Sequence, residues 1–122
     1  MSKRHLKKFR ENLRKISSLE KLDFFVRSRL RENTLTDYEF GLALLKRLVL
    51  STHDESYIER TKTPRGFTKE TAEAYGYSRR TIQRYLRVAK AIKLKSIPDN
   101  QIALYQESKI SYIDIIEVLK KS

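Results

Sequence analysis

Arg79, Arg80, Gln83 and Arg84 are close in sequence and carry side chains suited to reading base edges. A guanidinium forks onto the two acceptors of guanine, and a carboxamide pairs both ways with adenine. On a helix these four share an outward face with Arg87 and Lys90, while Ile82, Tyr85, Leu86 and Ala89 fall on the inward one. Ser78, just ahead, suits the cap of that helix. Little else in the chain suggests chemistry. His5 and His53 are far apart and stand in no metal-ligand spacing, and the absence of Cys excludes disulfides and thiolate metal sites. Asp54 and Glu55 beside His53 could suggest acid–base work, but in a polar loop they read better as a solvated cluster. A tyrosine recombinase needs an Arg/His/Tyr constellation that this short chain does not obviously assemble. No enzyme activity, cofactor or metal is expected.

Positioning such a face takes at least two helices. Thr68 to Tyr75 reads as a short helix capped by Thr68, with Ala72 small where a neighbour would cross closely. Gly76 can take positive φ at a sharp turn. The second helix then opens at Ser78 and continues to about Lys93. This order is that of a DNA-binding helix-turn-helix, motif 68–86. Its bland rival is an ordinary helical hairpin with a solvated arginine face.

The 122 residues suit one domain with a modest core, and with only 3 Gly, 2 Pro and no long alternating strand pattern an all-α fold is expected. The formal charge is +12 and unevenly spread: +7 in residues 1–33, zero in 34–67, +6 in 68–95 and −1 in 96–122. Concentration in two blocks points to a polyanion partner. No apolar run could span a bilayer and no apolar signal core follows the basic start, so no membrane association and a cytoplasmic or nucleoid location are expected.

Residues 1–33 form a basic N-terminal helical segment, ahead of a DNA-binding domain at 34–122. Leu6, Phe9, Leu13 and Ile16 make a heptad-like stripe, and Ser17 with Glu20 fits a capping box that would break the segment near residues 16–18. Leu19, Leu22, Phe25, Val26 and Leu30 would face inward on a second helix. The segment reads as helices packed on the core with some phosphate contact, ahead of a self-association seam. Thr36 with Glu39 is a second capping box, and Leu35 with Phe40 its staple. That helix runs to about Leu50, burying Phe40, Leu44, Leu45 and Leu48, with Gly41 allowing close approach. Residues 51–67 read as a loop with one helical turn near Tyr57-Ile58, where Lys62 and Arg65 could touch the phosphate backbone, a mobile solvated loop being the equal alternative. A helix from Pro98 with Ile102 and Tyr105 inward, and another capped by Ser111 with Ile115, Ile116 and Leu119 inward, form a neutral buttress.

With these residues in order, the chain resembles, over roughly residues 31–119, the helix-turn-helix domain of ParB-type partition proteins and their relatives, including plasmid transcription regulators. The resemblance rests on Leu35-Thr36-Asp37-Tyr38-Glu39, on Phe67-Thr68 through Leu86, on Ile97-Pro98 and on Glu107-Ser108-Lys109-Ile110-Ser111. It implies a short, often palindromic centromere-like site, a dimer, and base or phosphate contacts from Ser78, Arg79, Arg80, Gln83 and Arg84. No counterpart of the family's nucleotide-binding and clamp domain, its Gly-rich phosphate loop or its separate dimerisation domain is found, and the 51–67 connection is longer. CTP-dependent sliding is therefore not implied. Met1 and the terminal Lys-Lys-Ser suit a minimal relative encoded alone, the alternative being an excised domain.

The expectation is a sequence-specific reader of double-stranded DNA, acting in plasmid or phage partition or in transcriptional regulation. Thr68, Lys69, Arg87, Lys90, Lys7, Lys8 and Arg10 would hold phosphates. Partners are DNA with a palindromic or repeated site, a second copy of the chain, and a partition ATPase. The rival is a protein-interaction adaptor that binds DNA without reading it. RNA binding ranks third, since no recognition motif or exposed aromatic platform stands out.

Overall fold

The computed structural model describes residues 3–121, which form seven α-helices and no strand. None is long and apolar enough to cross a membrane. The basic segment forms two helices, α1 (Lys3–Lys15) and α2 (Leu19–Arg31). The break falls where expected, but the cap is Ser18, whose hydroxyl accepts from the Lys21 amide at 3.2 Å, and not Ser17. Of two adjacent serines, the second sets α2 in the register that buries Leu22 and Val26 completely.

Helix α3 (Asp37–Thr52) opens on the Thr36–Glu39 capping box, with both reciprocal bonds made. It lies at the centre of the fold, burying Phe40, Ala43, Leu44, Leu45 and Leu48. One core joins these to Phe9 and Leu13 of α1 and to Leu22 and Val26 of α2. The 1–33 segment therefore shares its core with residues 34–122. His53 takes left-handed geometry after α3, and a single 3-10 turn, Glu55–Ile58, interrupts the following loop.

Helix α4 (Phe67–Tyr75) starts two residues earlier than a Thr68 cap would set it. Its N-cap is Gly66 at φ 87°, not Thr68, which lies half-buried in the first turn. Burial of the Phe67 side chain draws that residue into the helix, and Gly66 takes the positive φ at the entry. After α4 come α5 (Arg79–Lys93), α6 (Asp99–Gln106) and α7 (Tyr112–Lys120). Ser111 and Asp114 complete a capping box on α7. A second core packs Tyr38 and Val88 against Ile97, Tyr105, Ile115 and Ile116. Helix α5 is thus buried on two sides, by α3 and α4 on one and by α6 and α7 on the other.

Candidate nucleic-acid interface

Two residues and a cap separate α4 from α5. Gly76 sits at φ 75°, and the amides of Gly76 and Tyr77 both donate to the Ala72 carbonyl, at 2.9 and 3.0 Å. The Tyr77 ring lies 5.0 Å from Phe40, which pins the turn to α3. Ser78 accepts from the Thr81 amide at 3.1 Å and starts α5. From α2, Arg27 Nε donates to the Ala74 carbonyl at 2.8 Å and so satisfies a carbonyl in the last turn of α4.

Behind this turn lies a polar network that the sequence did not announce. The Asp23 carboxylate on α2 takes both arms of the Arg47 guanidinium on α3, each at 3.1 Å. Arg47 also donates to Thr71 Oγ1 on α4 at 2.9 Å, and Tyr75 donates its hydroxyl to Asp23. Burial disfavours the Arg47 charge, yet the hydrogen bond and charge of Asp23 outweigh it and leave its pKa raised. Burial, then Asp23, pushes the Tyr75 phenol up. Such a pair is weak evidence of net stability, but losing one partner leaves a buried charge unmatched. Its effect here is to fix α4 on α2 and α3 in one orientation. The only sequence sign was a charged residue in the register of Phe40, Ala43, Leu44 and Leu48.

A second tie fixes α5. Asp37 Oδ1 accepts from the Tyr85 hydroxyl at 2.9 Å and Oδ2 from the Tyr112 amide at 3.1 Å. The Tyr85 and Tyr112 rings stack at 4.0 Å. One carboxylate thereby joins the start of α3, the middle of α5 and the start of α7. Burial, with Asp37 next, raises the Tyr85 pKa. Closer still, a Cβ placed on Gly41 would come 3.1 Å from Ala89 Cβ, so the missing side chain at Gly41 lets α3 and α5 cross tightly.

With its inward face so held, α5 turns Arg79, Arg80, Gln83 and Arg87 to solvent, with Arg84 half-exposed. None of these five side chains enters a hydrogen bond, ion pair or ring contact among the described residues. Several other arginines are engaged by the protein itself. Arg47 and Arg27 are tied as above, Arg60 pairs with Asp54 and lies over Tyr57, and Arg29 lies over Phe9 and Phe25. The first turn of α5 holds no acid and carries Arg79 and Arg80; α1 likewise holds none, whereas α2, α3, α4, α6 and α7 each place an acid there.

Two of the seven expected phosphate contacts are engaged within the fold. Lys90 is buried, and its ammonium donates to the Arg60 carbonyl at 2.7 Å, with its pKa lowered by burial. The 53–66 loop folds against the second half of α5 and captures it, so Lys90 is a structural tie and not an outward cation. Arg10 is exposed but donates to the Tyr38 hydroxyl and lies over that ring at 5.6 Å. Lys7, Lys8 and Lys69 are exposed and Thr68 is half-buried. The loop and α5 enclose an open cleft of about 680 Å³ that includes Lys62, Gln83 and Arg87.

The histidine loop is local structure. Asp54 caps the 3-10 turn by accepting from the Ser56 amide at 2.9 Å, and the Ser56 side chain, with this amide next, lowers its pKa. His5 instead approaches buried Glu39, at 3.5 Å. Comparisons with models of known protein families, with curated proteins and with solved structures return no match.

Proposed function

We propose that the chain binds double-stranded DNA and reads its sequence with α5, α4 and α5 acting as a helix-turn-helix. The observation that carries this reading is the uncommitted face of Arg79, Arg80, Gln83, Arg84 and Arg87 on a helix whose inner face is held by Asp37, Gly41 and the two cores. A rigid helix with unengaged forked donors is what major-groove readout requires, since base-edge bonds depend on geometry. Lys7, Lys8, Lys69 and Lys62 are exposed and would add phosphate contacts. One such helix reads few base pairs, so the chain works as a dimer or as adjacent copies on a palindromic or repeated site. In this reading it acts by binding, not catalysis, in partition of a replicon or in control of a promoter, as the ParB-type resemblance implies. A partition ATPase and the nucleoid are its expected surroundings.

Selection from a random duplex library at near-physiological salt tests the proposal. An enriched motif that Arg80→Ala or Gln83→Ala blurs, at a cost of roughly 1–3 kcal/mol on the cognate site, is the expected result. Equal recovery of all sequences, with binding that fades steeply in salt, would sink sequence reading and leave a non-specific adaptor.

A further inference from the structure

A second cleft, of about 570 Å³, opens between α1, α3, α5 and α6. Small-ligand sites span roughly 300–1,000 Å³. From α5 it uses Ala89, Ile92 and Lys93, none of which belongs to the arginine face. The floor is apolar, made by Gly41, Leu42, Leu45, Ala89 and Ile92, with Ile102 of α6 as a wall. The charged lining residues are Arg10, Lys93 and Lys95 against a single acid, Asp99. Arg10 is steadied by its bond to Tyr38. Lys93 and Lys95 are exposed and form no ion pair among the described residues. A smaller adjoining hollow of about 260 Å³ shares Arg10, Leu42, Leu45 and Lys93 and adds Arg14 and Lys46 against one acid, Glu55, so the approach stays cationic. Tyr105, which also lines the larger cleft, has a buried hydroxyl without a hydrogen-bond partner among the described residues. Such a group calls for an explanation, and a polar atom supplied from outside is one.

An apolar floor alone would accept any hydrophobe, and cations alone any anion. Together they select a molecule with both properties. A phosphodiester backbone would leave the apolar floor unused.

We propose that this cleft binds a small amphiphilic anion: an alkyl or aryl body bearing one carboxylate, the body over Leu42, Ala89 and Ile102, the carboxylate met by Arg10, Lys93 and Lys95. Binding here is independent of whether α5 reads DNA.

The test titrates the full chain with anilinonaphthalene sulfonate, followed by fluorescence, and displaces it with decanoate, acetate, inorganic phosphate or duplex DNA. Saturable binding displaced by decanoate alone is expected. Ile102→Trp, which fills the cleft, and the pair Lys93→Gln with Lys95→Gln should each weaken binding about tenfold, while Lys62→Gln in the other cleft should not. If Ile102→Trp does not fold, the lysine pair decides. Displacement by phosphate or DNA as good as by decanoate, or unchanged affinity in the lysine variant, would overturn the proposal.

Discussion

At the residue scale, what distinguishes the cations of this protein is whether the fold has already used them. Arg87 and Lys90 both read as outward cations on α5, yet one is exposed and the other is held on the Arg60 carbonyl. Their substitutions should therefore separate. Arg87→Gln should reduce the slope of log affinity against log salt by about one, since each neutralised phosphate releases its counterion. Lys90→Met should leave that slope unchanged and lower the unfolding midpoint in urea, because it frees the loop and strands a carbonyl. A slope that responds to both would mean that the loop opens on DNA. Helical spacing could not distinguish the fates of Arg87 and Lys90, because the loop that captures Lys90 lies 30 residues away in sequence. The same holds for Asp23, Arg47, Thr71 and Tyr75, whose partnerships span 24 to 52 residues.

At the scale of elements, the boundaries legible in the sequence were those set by local chemistry. Thr36 with Glu39 and Ser78 at α5 are bonds between residues three apart, so residue type and spacing suffice to find them. Ser17 and Thr68 failed for one reason: each competed with a neighbour, Ser18 or Gly66, and tertiary burial of Leu22 and Phe67 decided the register. Gly76 is the element-scale residue with the clearest consequence. A Cβ there would meet nothing within 4 Å, so only its φ of 75° opposes substitution. Gly76→Ala should destabilise by about 1–2 kcal/mol, the cost of the left-handed conformation, and Gly76→Asn by less. Urea unfolding of the three proteins measures it. Equal stability would mean that the turn relaxes to another conformation.

At the scale of the whole molecule, the charge blocks suggested a basic arm joined to a reading domain. The hydrophobic pattern of that arm did foretell the inward Phe9, Leu13, Leu22 and Val26 and their packing on the core, but not that α3 is the helix they meet. What partner a stripe meets is invisible in one sequence, since any apolar face would satisfy it. Removal of residues 1–33 should consequently abolish cooperative thermal unfolding rather than release a smaller DNA-binding unit. Circular dichroism of the truncated chain checks this. A sharp transition in the truncated chain would restore the two-part organisation.

The start of α5 carries a further implication. A helix N-terminus is electropositive, and the two arginines placed there oppose it, each by about 0.3–1 kcal/mol when exposed. Arg79→Glu or Arg80→Glu should accordingly raise the melting temperature while abolishing DNA binding. A screen for robustness and a screen for recognition would pull these two positions in opposite directions. Where two residues oppose the dipole of their own helix, a partner of opposite charge offsets that cost, and in the reading proposed above duplex DNA is that partner.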